Sequence, residues 1–132
     1  MPKQMFFNID EKKRQMFLDV AIEEFTTKTF TDVSVNSIIK KANISRGSFY
    51  TYFENLDELF NYIIQTVKNE RINYAKVLIE EADGDLFVAI KSLFKYDFDA
   101  FKDKGRYSLF RNYIYYIQLT KHASLKDTII ME

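Results

Sequence analysis

Apolar residues recur at intervals of three and four along most of the chain, the spacing that places them on one face of an α-helix. The pattern is clear at Phe17, Ala21 and Phe25, and it predicts a first helix over about residues 9–28. Five more helices are predicted: from Ser34 to Asn43, from Ser45 to Phe53, from Asn55 to about residue 81, from Leu86 to Lys102, and from Tyr107 to Thr120.

Little interrupts these helices, because the chain has only 3 Gly and 1 Pro. This scarcity favours an all-α fold over one of many short strands. Polar residues mark the predicted helix ends, because side-chain oxygens cap free N–H groups and Asn tolerates a left-handed helix exit. The signals are Asn8 with Glu11, Ser34, Asn43, Ser45, Asn55 with Glu58, a break at residues 83–85, a turn at Lys104 and Gly105, and a new start at Ser124 with Asp127.

Residues 34–53 form the most informative segment, two short helices joined by a tight turn. Phe49 and Phe53 lie one turn apart and are predicted to point inward. The rest of the second helix is small, hydroxylated, aromatic or basic, which a stable core would not favour. The charged residues of the segment are all basic: Lys40, Lys41 and Arg46. These features are typical of a helix-turn-helix that contacts DNA phosphates and presents one helix to a groove.

Composition excludes several classes of function. With 0 Cys the chain has no disulfide, no thiolate zinc site and no cysteine nucleophile. The single His122 belongs to no recognisable metal or catalytic motif, and the sequence has no phosphate-binding loop and no serine-nucleophile motif. We therefore expect no enzyme and no cofactor. No signal peptide and no apolar run of about 20 residues is present, so a cytoplasmic protein without a membrane span is expected.

Three stretches carry a resemblance to a known family: FLDVAIEEF at residues 17–25, SVNSI at 34–38 and ANISRGSFYTYF at 42–53. Together they resemble the DNA-binding domain of the TetR family of transcriptional repressors, over about residues 9–62. The resemblance implies a three-helix DNA-binding head, placed at residues 1–55, and a helical ligand-binding and dimerising bundle, placed at 56–132 and short for the family. It also implies a homodimer on a palindromic operator in double-stranded DNA, released by a small molecule.

Ten residues are candidates for DNA contact. Arg46 opens the second helix and can bind either guanine or phosphate, while Gly47 allows close approach of the backbone. Tyr50 and Tyr52 can reach phosphate; the alternative is that one of the two rings packs inward, which is less expected for Tyr50 than for Tyr52 beside the inward-facing Phe53. Lys40 and Lys41 offer general phosphate attraction or form a solvated face. The full set is Ser34, Lys40, Lys41, Ser45, Arg46, Gly47, Ser48, Tyr50, Thr51 and Tyr52.

Aromatic residues of the later helices have two interpretations. They form an ordinary bundle core, or some of them line a pocket for an apolar or aromatic effector. Phe87, Ile90, Phe94 and Phe98 share one side of the fifth predicted helix. The residues proposed for the pocket are Tyr62, Phe94, Phe98, Phe110 and Tyr113.

Three features support other functions. Leu56 stands where the family often has a phosphate-binding Lys, the formal net charge is zero, and the body is short. One alternative is an interaction or sensor module whose head no longer binds DNA. Another is a truncated fragment that cannot dimerise. The sequence itself does not decide between a repressor and an activator.

Overall fold

The computed structural model describes the backbone of residues 2–131 and the side chains of residues 2–121. In this part of the chain all regular structure is helical, which confirms the predicted all-α fold class. The elements are α1 (Gln4–Asn8), α2 (Glu11–Thr27), a 3-10 turn (Phe30–Asp32), α3 (Val35–Ala42), α4 (Arg46–Tyr52), α5 (Leu56–Glu81), α6 (Leu86–Lys102) and α7 (Lys104–Met131).

Helices α2 to α6 confirm the predicted elements, and α3 to α6 each begin at a residue whose side chain caps the helix. Asn55 begins α5, and its side-chain oxygen accepts from the Glu58 N–H at 2.9 Å. Asp85 begins α6 in the same way, accepting from the Val88 N–H at 3.2 Å. The predicted break between these helices contains Asp83, whose φ of 47° lies in the left-handed region. A domain boundary at residue 55 stays a prediction.

The N-terminal segment forms a helix, α1, that the sequence pattern did not predict. Asn8 was expected to cap the first long helix, but it is the last residue of α1, and α2 follows Asp10 without a side-chain cap. Phe6 on α1 is completely buried. Its ring packs against Phe53 at a centroid distance of 4.9 Å and against Phe17 at 6.0 Å. Helix α1 thereby adds a fourth helix to the predicted three-helix head.

The start of α7 is a second correction. Lys104 and Gly105 were expected to form a turn, but both belong to the first turn of α7. The carboxylate of Asp103 accepts from the backbone N–H groups of Gly105 at 2.9 Å and Arg106 at 3.4 Å, as an N-cap does. The backbone of α7 then continues to Met131, so the break predicted before Ser124 does not occur. The side chains of His122, Ser124 and Asp127 lie outside the described residues.

One hydrophobic core connects the N-terminal helices with α5 and α7. Phe25 of α2 stacks on Phe60 of α5 at a centroid distance of 4.4 Å. Phe60 in turn contacts Tyr116 of α7 at 5.4 Å, and Phe30 from the 3-10 turn contacts the same tyrosine at 4.7 Å. The predicted head and body therefore share buried aromatic contacts.

Helix α6 presents an apolar face to the outside. Phe87, Ile90, Phe94 and Phe98 are exposed by 87%, 56%, 73% and 55%, whereas Ala89 on the opposite side is buried. The interpretation of this stripe as bundle core was therefore wrong. The helix packs on α5 and α7 through its other side, and within the described residues no other helix covers the stripe. No helix in the described part of the chain is both long enough and apolar enough to cross a bilayer.

Candidate nucleic-acid interface

Helices α3 and α4 form a helix-turn-helix whose geometry is set by three polar side chains. Ser34 caps α3 by accepting from the Ser37 N–H at 3.1 Å, and Ser45 caps α4 by accepting from the Ser48 N–H at 3.0 Å. Between them Asn43 has φ 55° and ψ 49°, the left-handed conformation predicted for the end of α3. The caps satisfy backbone donors at both helix starts, so the turn is closed by local interactions.

Helix α4 has one buried side and one free side. Phe49 and Phe53 are completely buried, as predicted, and anchor the helix to the core. On the outer side Arg46, Gly47 and Thr51 are exposed and Tyr50 is 41% exposed. These four candidates therefore share one accessible surface, which we call the α4 reading face.

Gly47 has no structural reason to be glycine. A Cβ added there would meet a single neighbouring atom, the Ser45 Oγ at 3.9 Å, which is ordinary van der Waals contact. Its backbone carbonyl accepts from the Thr51 hydroxyl at 2.8 Å. Because Gly47 has no side chain, another molecule can approach the backbone of the first turn of α4 closely.

Arg46 is held across the turn by a residue that the sequence analysis missed. Its guanidinium donates to the side-chain oxygen of Asn36 on α3. Asn36 is exposed and shares the outer surface with Arg46. The sequence held one sign of this role, since Asn36 is a polar residue in the first turn of α3, the helix that comes before the helix-turn-helix loop. This bond orients the guanidinium, which reduces the conformational entropy lost when it binds a target.

Lys41 has a different role from its neighbour Lys40. Its ammonium pairs with the carboxylate of Glu24 on α2, which also accepts from Lys28 Nζ at 2.8 Å and from the Ser37 hydroxyl at 3.1 Å. Burial alone raises the pKa of Glu24, but the bonds from Lys28, Lys41 and Ser37 outweigh it and lower the pKa to about 2. Lys40 is exposed and is the lysine of this pair that remains available to a phosphate.

Tyr52 is the tyrosine that packs inward. It is half-buried, with its ring 5.9 Å from that of Phe6 and 6.1 Å from that of Phe17. Helix α1 covers this side of α4, and a contact of the Tyr52 hydroxyl with DNA stays a prediction. The remaining candidates, Ser34, Ser45 and Ser48, lie at the N-terminal ends of α3 and α4.

The five residues predicted for an effector pocket do not line one cavity. Tyr62 packs beside Phe53, and Tyr113 packs against Phe60 in the core. Phe94 and Phe98 are on the exposed face of α6. Only Phe110 lines the largely apolar cleft of about 400 Å³ between α5, α6 and α7, together with Val67, Arg71, Phe101, Arg106 and Ile114 among others. Helical periodicity alone did not reveal which side of α6 faces inward.

Charged side chains border this cleft. Arg71 of α5 makes two hydrogen bonds to the Asp97 carboxylate of α6, at 2.8 and 2.7 Å. Hydrogen bonding to Arg71 lowers the pKa of Asp97. Arg106 of α7 donates to the Tyr96 hydroxyl at 3.4 Å. Three helices are thus tied together around a space that can hold a small apolar molecule.

Comparisons with known proteins agree with this geometry. The model of the bacterial regulatory proteins, tetR family, matches residues 17–63, which contain α3, the turn and α4. The chain is 26% identical over 108 residues to the uncharacterized HTH-type transcriptional regulator YdgC of Bacillus subtilis (strain 168), covering 76% of this chain and 55% of YdgC. It is 38% identical over 50 residues to the probable acrEF/envCD operon repressor of Escherichia coli (strain K12), covering 38% of this chain and 23% of that repressor.

A solved structure shares the fold as well. A TetR family transcriptional regulator from Chloroflexus aurantiacus J-10-FL superimposes with a TM-score of 0.62 at 28% identity, covering 83% of this chain and 51% of that one. The chain thus spans about half the length of YdgC and of the Chloroflexus regulator. Sequence and fold therefore agree over the helix-turn-helix: residues 17–63 match the bacterial regulatory proteins, tetR family, and the fold is similar to that of a TetR family regulator.

Proposed function

We propose that this chain is a sequence-specific DNA-binding transcriptional repressor, released from its operator by a small apolar or aromatic effector. The observation that carries the proposal is the α4 reading face, where Arg46, Gly47, Tyr50 and Thr51 are accessible together. The Escherichia coli relative is a probable operon repressor, which supports repression over activation.

The reading face suits the major groove of double-stranded DNA. In helix-turn-helix docking, the N-terminal residues of the second helix meet the base edges. Arg46 is the first residue of α4, and a guanidinium there can bind guanine O6 and N7 together. Gly47 lets the backbone approach closely. Thr51, whose hydroxyl already donates to the Gly47 carbonyl, offers its methyl group to a thymine methyl.

Phosphate contacts come from the edges of the same surface. Ser34 and Ser45 stand at helix N-termini, where backbone N–H groups favour an anion. Lys40 adds an unspecific attraction that weakens as salt rises, and the Tyr50 hydroxyl can donate to a phosphate oxygen. These contacts position the head, whereas Arg46 and Thr51 read the sequence.

A palindromic operator requires two copies of the chain. Two α4 helices must lie about 34–36 Å apart to enter successive major grooves on one side of the duplex. We propose a homodimer that acts in the cytoplasm, where the bacterial chromosome lies. An effector in the cleft between α5, α6 and α7 would change the spacing of the heads, through a higher affinity for the DNA-free state.

The proposal is tested by selecting genomic DNA fragments with the purified chain and measuring affinity for the enriched sequence. Arg46→Ala and Tyr50→Ala are each expected to lose about 1–3 kcal/mol of binding free energy. Arg111→Ala and Tyr115→Ala are matched controls, because both residues are exposed on α7 away from the reading face. Wild-type affinity in both reading-face variants would contradict the assignment of α4.

The positions of two residues favour a second candidate function, that of a sensor or interaction module that does not bind DNA. Lys41 is paired with Glu24, and Leu56, where the family often has a Lys, is packed against the core. Such a module would show no salt-sensitive affinity for random duplex DNA at low salt, whereas a working head would. Sedimentation of the unbound chain separates a dimer from a fragment that cannot dimerise.

A further inference from the structure

Asn112 of α7 makes a buried link to the end of α2. It is 2% exposed, and with Glu24 it is one of two buried polar residues among those described. The two N–H groups of its amide donate to three carbonyls, one N–H being shared between two of them: Phe25 at 2.9 Å, Thr26 at 3.2 Å and Lys28 at 3.1 Å. The last carbonyls of a helix have no partner within that helix. Asn112 therefore supplies, from a distant part of the chain, the donors that the end of α2 lacks.

The same turn of α2 holds the first helix of the helix-turn-helix. Lys28 donates to the Glu24 carboxylate at 2.8 Å, and that carboxylate accepts from Ser37 and Lys41 of α3. The backbone at the end of α2 is thus fixed by α7, while its side chains fix α3. A displacement of α7 relative to α2 would therefore move Glu24 and Lys28, the residues whose side chains position α3.

Helix α7 also forms a wall of the apolar cleft. Phe110 and Ile114 line the cleft, while Leu109, Asn112 and Tyr116 are buried toward the head. The two sets of residues alternate along two turns of one helix, so they face different sides of it. A molecule that shifts the backbone of α7 at Phe110 or Ile114 would also shift Asn112, because all three residues lie on two successive turns of one helix.

We propose that Asn112 is the positioning residue through which occupancy of the cleft changes the position of α2 and α3. This inference rests on the proposed function, in which an effector in that cleft weakens DNA binding. In this proposal the buried amide of Asn112 couples the cleft to DNA binding, and the end of α2 is the first part of the head to move.

The chain offers a clean test, because it contains 0 Cys. Ile114→Cys places one thiol in the cleft, and Ile114 is 54% exposed and therefore accessible to a reagent. Modification with N-phenylmaleimide then supplies an aromatic occupant of known position. Gln118→Cys, modified in the same way, is the control, because Gln118 is exposed on α7 and does not line the cleft.

Two measurements are made before and after modification: affinity for the selected DNA, and the backbone amide NMR shifts of residues 24–28 and 34–42. With Asn112 present, the adduct at residue 114 is expected to lower DNA affinity about tenfold and to shift both sets of amides. With Asn112→Leu, which removes the donors at similar volume, the affinity change is expected to fall below about twofold. Asn112→Ser, which keeps one donor, serves if the leucine variant does not fold.

Ile64→Val controls for general destabilisation, since Ile64 is buried in α5 and its side chain has no hydrogen-bonding group that could replace the amide of Asn112. This variant should respond to the adduct like the parent chain. The inference is overturned if the Asn112 variants respond like the parent, or if the adduct moves neither the affinity nor the amides. If the unmodified chain binds no DNA at all, the proposed function fails, and the NMR shifts still decide whether Asn112 couples the cleft to α3.

Discussion

The ammonium of Lys41 on α3 contacts the buried carboxylate of Glu24 on α2, seventeen positions earlier in the chain. The contact ties the first helix of the helix-turn-helix to the long helix behind it. A buried carboxylate without its partners would carry a large desolvation penalty, so the two lysines and Ser37 are needed for the charge to remain. Lys41, one of the basic residues predicted to contact DNA, therefore stabilises the fold.

This pairing predicts a pH dependence of stability. The pKa of Glu24 is about 2 in the folded chain, below its ordinary value of 4.5. A carboxyl group whose pKa is lower in the folded chain than in the unfolded chain stabilises the fold at pH values above its unfolded pKa. The stabilisation from Glu24 is therefore complete above about pH 4.5 and is lost as the pH falls toward 2. After allowance for solvent screening of the partly exposed lysines, the loss is about 1–3 kcal/mol.

Urea unfolding at several pH values between 7 and 2.5 measures this contribution. Glu24→Gln is the reference, because it keeps the side-chain shape and removes the titrating group. The wild type should lose more free energy of unfolding than the variant over this range. Equal losses in both chains would show that Glu24 does not carry the effect.

Lys40 and Lys41 are adjacent and are predicted to behave differently. Lys40→Met should weaken binding to all DNA sequences and reduce the salt slope of log affinity by about 0.9, the value for one phosphate contact. Lys41→Met should lower the stability of the chain, because it removes a hydrogen bond from the buried Glu24 carboxylate. Salt titrations of DNA binding together with thermal unfolding separate the two effects, and the reverse assignment would contradict the placement of Lys41.

Gly47→Ala is expected to separate folding from DNA binding. Alanine favours a helix over glycine by up to about 1 kcal/mol, and the added Cβ has room. The variant should therefore unfold at an equal or higher temperature than the parent. It should also lose DNA affinity, because the methyl group occupies the space proposed for the DNA. Unchanged affinity would mean that the backbone of α4 does not approach the duplex at this point.

The contribution of α1 is tested by a matched pair of phenylalanines. Phe6 is completely buried, whereas its neighbour Phe7 is 42% exposed. Phe6→Ala should cost about 3–5 kcal/mol of unfolding free energy, as expected for removing a buried aromatic ring. Phe7→Ala should cost about 1 kcal/mol or less. Similar costs in urea unfolding would show that α1 does not pack against α4 in solution.

The helix-turn-helix was predictable because its signals are local. Ser34, Asn43 and Ser45 each act within a few residues, through a capping bond or a backbone conformation that few residue types tolerate. The inward direction of Phe49 and Phe53 follows from the helical period and the need for a core. These parts of the fold and of the reading face require no knowledge of distant contacts.

The remaining features depend on contacts between distant parts of the chain. Lys41 looks like its neighbour Lys40 until the carboxylate of Glu24 is placed beside it. Tyr52 looks like Tyr50 until α1 covers one side of α4. The apolar stripe of α6 has the period of a core helix, yet it faces outward because the helix packs through its other side. Periodicity identifies a face, but only the tertiary arrangement decides what the face meets.

The left-handed backbone at Asn43 has a consequence for how any signal reaches DNA. The Ile44 N–H donates to the Ile39 carbonyl at 3.0 Å, so the turn and the end of α3 are closed by their own backbone. The angle between α3 and α4 is therefore built in locally and does not depend on the state of the cleft. If an effector acts as we propose, it would move the two helices together, toward or away from a groove, and would leave the shape proposed to recognise the operator unchanged.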